Sequence, residues 1–372
     1  MHSSRGTPLV SAPGLQRPDR ENFHAAACLP RSGTPSSSKP TVNTPETLIL
    51  RELLAHEGAF VSGTSLAAKA GMSRVAIWQH MEKLRAQGFA FEAARARGYR
   101  LTAKPAGLNA TLINAYLPLR DRGLTLTVLD EVDSTNDEAA RELAAGRPAP
   151  FLIVAREQSA GRGRLGRRWL SEPNGNLYLS FGFRPQVAPA RMPTFTLWMG
   201  ANLCDLIANL CHATPGLKWP NDLLFGGLKA GGMLTEARID TDQIRDLVFG
   251  LGLNLRTPSA GWPEELRSRA TALDAHCQSP PEINRLTAAI AGRVLLAYER
   301  FLRGEHEDAL ADLWNRYDAL RGQRVTGTVS DHRISGTAVG IDREGCLLVR
   351  TDRGAISRFH AGEVSLERPK IA

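Results

Sequence analysis

From Pro45 onward the apolar residues fall into a helical rhythm that the preceding stretch lacks. Leu48, Leu50, Leu53 and Leu54 form a stripe on a helix that Thr47 would cap and Gly58 would end. Ser62 or Thr64 then starts a short helix around Leu66–Ala70, and Gly71 turns the chain sharply. Ser73 caps a longer helix from Arg74 to Gln87, with Val75, Ile77, Met81 and Leu84 read as facing inward and Gly88 as its stop. Phe89–Glu92 and Tyr99–Leu101 read as the arms of a hairpin around Arg95, Arg97 and Gly98. Helix, short helix, turn, helix and hairpin is the order of a winged helix-turn-helix.

Beyond Leu108 the pattern changes to strands interspersed with long helices. Strands are predicted at Leu124–Leu129, Phe151–Arg156, Asn176–Phe183, Leu217–Trp219, Gly231–Ile239 and Arg245–Leu255, and helices at Asn136–Ala145, Thr194–Cys211 and Glu282–Arg303. Their order is not a strict βαβ alternation, so a mixed sheet is expected. From Gly322 short runs at Arg324–Val329, Ile334–Ile341, Cys346–Thr351 and Ala355–Phe359 are separated by Gly345 and Gly354, as in a small barrel. The resulting expectation is an α+β multidomain chain. It has a leader over 1–45, a winged helix over 46–105, a catalytic domain over 106–320 and a barrel over 321–372.

Composition refines this picture at three points. Residues 1–45 are rich in Ser, Pro, Gly, Thr and Arg, and they cannot bury enough apolar surface to offset chain entropy, so disorder is expected there. That segment has no apolar core of a signal peptide, and no apolar run reaches the ~18 residues of a membrane span. The five cysteines are scattered without CxxC or Cys/His ligand spacing, which fits a reducing cytoplasm and no structural zinc. The formal net charge is +8, and residues 48–104 hold nine Lys/Arg against four Asp/Glu, a net +5. This excess suits a phosphate backbone, with Arg74, Gln79 and His80 on the helix and Arg95, Arg97 and Arg100 on the wing as candidate DNA contacts. A helical module used for protein contacts, its charges merely solvated, is the alternative.

The densest chemical signal is Gln158-Ser-Ala-Gly161-Arg162-Gly163-Arg164-Leu165-Gly166-Arg167-Arg168, directly after a predicted strand. Its glycines let backbone approach a ligand, and its arginines can grip phosphate or carboxylate oxygens. A lone glycine–arginine loop is also an ordinary basic surface turn, and without GKS/T it is not a P-loop. Two further clusters accompany it, Lys218-Trp-Pro-Asn221-Asp222 and Lys229-Ala-Gly231-Gly232-Met-Leu-Thr-Glu236. Lys229 could stabilise charge building on an α-phosphate. Asp222 could hold magnesium or simply cap a turn. Asp133-Ser134-Thr135-Asn136 ends a strand and starts a helix, so its hydroxyls either cap the helix or meet a polar ligand head. Gly250 to Asn254 is either a buried strand or the floor of a pocket.

Taken together and in this order, these five motifs resemble the bifunctional biotin–protein ligase and biotin-operon repressor family, over about Leu48 to Leu366. The resemblance implies a central ligase domain of class II synthetase type and an SH3-like third domain, matched through Gly340-Ile-Asp342, Gly345 and Gly362-Glu-Val-Ser-Leu366. It implies that biotin and ATP give biotinyl-5′-adenylate, from which biotin passes to a lysine of the biotin carboxyl carrier protein. By position, Ser134, Thr135, Asn136, Gln158, Gly163, Trp169, Tyr178 and Gly232 would line the biotin pocket, joined by Gly161, Asn221, Gly250 and Asn254. Arg162 and Arg164 would grip carboxylate and phosphate, Lys229 would contact the reacting centre, and Asp222 would sit on the Mg2+–nucleotide side. The winged helix further implies an adenylate-promoted homodimer on operator DNA, with no membrane role. Lipoate–protein ligase is the nearest rival, and a regulator with a non-catalytic ligase domain is another. Departures from the family pattern fall at Leu165, where relatives add an arginine, and at Ala230, Ala270 and Glu367-Arg368.

Overall fold

The computed structural model describes residues 44–118, 123–171, 175–329, 332–360, 362 and 364–366. The expected leader therefore lies outside the described residues, apart from Thr44 and Pro45, as does Glu367-Arg368. Pro45 already belongs to the first helix, α1 (Pro45–Ala55), whose N-cap is Thr44 rather than Thr47; the Thr44 hydroxyl accepts the Thr47 amide hydrogen. Proline suits that first position because its missing N–H would have no partner there.

Helices α2 (Gly63–Ala70) and α3 (Arg74–Ala86) follow; Ser62 rather than Thr64 caps the first, and Ser73 caps the second as expected. The hairpin is β1 (Ala90–Ala94) with β2 (Gly98–Ala103), and Val61 bridges to Tyr99 as a third short partner. The core holds Ile49, Leu50, Leu53, Leu66, Ile77, Met81 and Leu84. Two sequence expectations fail on α3. Val75 is 71% exposed, because it sits opposite the Ile77–Met81–Leu84 stripe rather than on it. His80 turns toward α1, where its Nδ1 lies 2.8 Å from Glu46 Oε1, so its ring is not presented to a DNA groove. Burial opposes ionisation of Glu46, but the His80 hydrogen bond and the nearby His80 and Lys83 charges outweigh it and hold the carboxyl below its usual range.

A short helix absent from the sequence reading, α4 (Ala110–Tyr116), joins this unit to the next. Leu112 and Ala115 pack in the winged-helix core, while Ile113 and Leu117 pack in the main core. The Arg51 guanidinium donates to Asn114 O at 2.7 Å across the junction.

The central sheet has seven strands. In chain order the elements are β3 (Thr125–Val132), α5 (Thr135–Ala144), β4 (Phe151–Gln158), β5 (Asn176–Phe183), α6 (Met192–Cys211), β6 (Pro215–Lys218), β7 (Asp222–Phe225), β8 (Leu228–Asp240) and β9 (Gln243–Asn254). Three helices then follow, α7 (Glu264–Arg267), α8 (Ile283–Leu302) and α9 (His306–Tyr317). The strand order is β3-β4-β5-β9-β8-β7-β6, with β3–β4 parallel and every other pair antiparallel, which is the expected mixed sheet.

Alternation along β5 divides its residues between two faces. Leu177, Leu179, Phe181 and Phe183 join the main core beneath α6 and α8, where Phe183 stacks on Tyr298 at 4.0 Å and Phe195 meets Phe249 edge-on. Asn176, Tyr178 and Ser180 fall on the opposite face, where Ser180 meets the first turn of α5. A polar strand face buried under a helix start is what builds the site.

The last unit is a five-stranded antiparallel sheet of β10 (Arg324–Val329), β11 (His332–Ile341), β12 (Leu347–Thr351), β13 (Ile356–Phe359) and β14 (Val364–Leu366). Its order is β13-β12-β11-β10-β14, and it curls enough for Phe359 to pack on Gly327, three strands away. Among the described residues no pairing closes β13 onto β14, so the unit is a rolled sheet. It docks on the central domain through the indole N–H of Trp219, which donates to Gly345 O at 3.0 Å. No described helix is long and apolar enough to cross a membrane.

Candidate active site

The end of β3 and the start of α5 set one wall. Ser134 caps α5, its hydroxyl accepting the Asp137 amide hydrogen at 3.4 Å. Thr135 donates from both its N–H and its hydroxyl to Gln158 Oε1, at 2.8 and 3.1 Å, and Gln158 Nε2 donates to Ser171 Oγ at 3.0 Å. Ser180 Oγ lies 2.8 Å from Thr135 Oγ1 and 2.6 Å from Asn136 Oδ1; its single proton serves one of them at a time. Asn136 Nδ2 donates to Leu234 O and to Glu236 Oε2.

The floor comes from β9 and β8. A Cβ on Gly250 would stand 2.0 Å from Asn136 Oδ1, and one on Gly252 would stand 2.7 Å from the Trp169 ring. Only glycine permits both approaches. Trp169 lies over Gly252 and Gly232, and its Nε1–H is buried against the Gly252 strand with no hydrogen-bond partner among the described residues.

The charged end is formed by β7, β8 and the basic loop. Lys229 Nζ sits 2.6 Å from Asp222 Oδ1 and 5.4 Å from the centre of the Trp169 ring. Its main chain is pinned on both sides, because Lys229 N–H donates to Arg269 O and Thr271 N–H donates to Lys229 O. Arg162 is bound by Asp137 (2.6 Å) and Glu236 (2.8 Å). Burial alone would lower its pKa, but these two carboxylates raise it, so the guanidinium is a fixed cation. Arg164 donates to Asn221 Oδ1 and to Gly362 O, each at 3.3 Å, which links the loop to the C-terminal sheet. Within the loop the left-handed positions are Leu165 (φ +56°) and Gly166 (φ +72°), while Gly163 is extended.

One cavity collects Ser134, Thr135, Asn136, Gln158, Arg162, Gly163, Arg164, Trp169, Asn221, Asp222, Lys229, Gly232 and Gly250 from all five motifs. Three expected pocket residues lie outside it. Gly161 sits behind the loop, its carbonyl accepting the Trp169 N–H at 2.8 Å. Tyr178 is buried, and Asn176 Nδ2 donates to its hydroxyl at 3.1 Å. Asn254 donates to Thr271 O at 3.0 Å and so steadies the segment that pins Lys229. Ser180 and Glu236 do not line the cavity but hold Asn136, which does. Ser180 is detectable as the polar member, with Asn176, of an alternating face in an otherwise apolar strand; Glu236 ends the Lys229–Glu236 run, where nothing in the sequence gives it a role. Ala230 is fully buried and Ala270 bridges to Lys229, so both departures are small residues packed behind the lysine.

Three family models match the chain: an HTH domain over residues 46–100, the biotin/lipoate A/B protein ligase family over 128–254, and the biotin protein ligase C terminal domain over 321–367. The bifunctional ligase/repressor BirA of Bacillus subtilis is 33% identical over 322 residues, covering 85% of this chain and 97% of that protein. The chain belongs to the bifunctional ligase/repressor family. BirA of Escherichia coli is 32% identical over 332 residues, covering 86% of this chain and 96% of that relative. Among solved structures, the biotin protein ligase of Aquifex aeolicus in complex with biotin and ATP matches with a TM-score of 0.54 and 28% identity, over 65% of this chain and 98% of that one. In the family's terms, the 128–254 match contains the full set of cavity-lining motifs.

Proposed function

We propose that the chain activates biotin with ATP to biotinyl-5′-adenylate, transfers biotin to a lysine of a biotin carboxyl carrier protein, and represses biotin genes when the adenylate is bound. The observation that carries the ligase reading is the hydrogen-bonding set of Gln158, Thr135 and Asn136 on the cavity wall, held from behind by buried Ser180, seated on Gly250 and adjoining Lys229. The ureido ring of biotin offers one carbonyl and two N–H groups to such a set. The dithiolane of lipoate offers none, and each buried polar group left unmatched costs about 1–3 kcal/mol.

With the ureido head so held, the carboxylate points toward the charged end. Arg162 and Arg164 offset the charge brought together by carboxylate and triphosphate, and Lys229 stabilises the charge that builds on the α-phosphorus as pyrophosphate leaves. Asp222 presents one carboxylate to the cavity; among the described residues no cluster of three or more His, Cys, Asp or Glu is placed to hold a metal. Magnesium bound through one carboxylate and the phosphates of its nucleotide fits that arrangement and would neutralise the triphosphate. In transfer, the carrier lysine amine forms a C–N bond to the adenylate carbonyl, the bond to the phosphate oxygen breaks, AMP leaves and the amine loses a proton. The loop over the cavity excludes water that would hydrolyse the anhydride.

Repression follows from the winged helix, with Arg74 and Gln79 exposed on α3 and Arg95 and Arg97 exposed on the wing. Arg164 ties the loop to the C-terminal unit, and α4 packs in both the winged-helix core and the main core. A homodimer would extend the central sheet, for which β3 provides an edge strand. The protein would act in the cytoplasm.

The reading is tested by exchange of labelled pyrophosphate into ATP. Exchange should require biotin and be absent with lipoate; exchange driven by lipoate, or by neither acid, sinks the assignment.

A further inference from the structure

The first two turns of α3 carry an apolar pair that nothing among the described residues covers. Val75 is 71% exposed on the face opposite Ile77, Met81 and Leu84, and Trp78, one turn on, is 56% exposed on the flank of that stripe. Holding a valine and a tryptophan in water forgoes the full or partial burial that the other large apolar side chains of this unit have. Their surroundings are cationic rather than apolar. Arg74 precedes them, and Lys69 at the end of α2 is largely exposed. Across the motif the wing presents Arg95 and Arg97, the latter stacked on Phe60 at 4.1 Å. Exposed Gln79 is the next residue, while Glu82, one turn on, is neutralised by Arg85. An exposed apolar pair next to Arg74 in the first turns of a helix, within a unit that carries nine Lys/Arg against four Asp/Glu over residues 48–104, matches a polyanionic groove better than an apolar protein face.

Within the major groove only one base edge is apolar, the C5-methyl of thymine. We propose that Val75 and Trp78 are specificity-determining residues that pack on thymine methyl groups, with Gln79 placed for the adenine N6/N7 edge of an adjacent A·T pair. The assignment rests on the repressor reading above. It makes the preferred half-site rich in A·T pairs at the positions facing α3, with discrimination arising from methyl contact as well as from hydrogen bonds. Arg74, Arg95 and Arg97 supply affinity for the phosphates and carry no sequence preference of their own.

The test uses the full chain with biotin and ATP. A pool of random-sequence duplexes is selected for binding, and in the selected site each thymine is replaced singly by deoxyuridine, which removes only the methyl group. At one or two positions the unaltered protein should lose roughly fourfold in affinity per methyl. Trp78→Ala and Val75→Ala should bind thymine and deoxyuridine alike at the matching position, while keeping biotin-dependent pyrophosphate exchange and a steep fall of binding with salt. Salt-sensitive duplex binding without any methyl effect, or variants that retain the full thymine preference, overturns this assignment alone. Failure of the unaltered protein to bind any duplex overturns the repressor reading and the assignment with it. Self-association lost in Trp78→Ala, with methyl discrimination retained, assigns the pair to a second copy of the chain and also overturns it.

Discussion

Replacing Lys229 with alanine is expected to reduce adenylate formation by at least about 10²- to 10³-fold, the usual effect of removing one preorganised group from a site of developing charge. The variant should fold normally. Lys229 is held by main-chain bonds to Arg269 and Thr271, which do not need its side chain, and the ammonium is partly exposed in the cavity. Two effects act in the same direction. The positive charge at the reacting phosphorus is lost, and Asp222, now without its partner at 2.6 Å, adds uncompensated negative charge where carboxylate and triphosphate must meet. Single-turnover formation of the adenylate, with circular dichroism as the check on folding, measures this. Near-normal turnover in a folded variant removes the lysine from the mechanism.

Gly250→Ala is the second change with a large expected effect. A methyl group 2.0 Å from Asn136 Oδ1 cannot be accommodated without moving Asn136, and Asn136 also holds Ser180 and Glu236. Losing two of the hydrogen bonds that match the ureido ring, at about 1–3 kcal/mol each, weakens biotin by roughly 30-fold or more. Glu236 is at the same time a partner of Arg162, so the loop should order less readily over the ligand. Titration calorimetry with biotin alone reads the first effect and protease sensitivity of the loop reads the second. Unchanged biotin affinity would mean that the ring around Asn136 is structural only.

How far these features could be read beforehand depended on whether their cause was local. Strand β5 was bounded correctly at Asn176 and Phe183, because its alternation is complete, and Ser62 and Ser73 were recognisable as caps because capping is decided within a single turn. Val75 was placed inward because an apolar residue beside an apolar stripe is ordinarily part of it; only the rotation of α3, set by Ile77, Met81 and Leu84 together, turns it outward. The short α4 and β7 escaped notice because seven and four residues carry too little periodicity. Most of the site motifs were legible, since glycines and charges in clusters are conspicuous. Asn254 ends one of those motifs and Tyr178 lies on β5, yet the sheet directs the first to Thr271 and buries the second. Glu236 reaches Asn136 only because the order β5-β9-β8 brings residues 100 positions apart together, a fact of topology rather than of pattern.

The central claim is that this cavity activates biotin for transfer to a protein. It is tested most directly by incubating the full chain with ATP, magnesium, biotin and a biotin carboxyl carrier domain, and following the carrier by mass spectrometry. The carrier should gain the mass of one biotin on one lysine, dependent on ATP and abolished by Lys229→Ala. No gain, or a gain when lipoate replaces biotin, would contradict that claim.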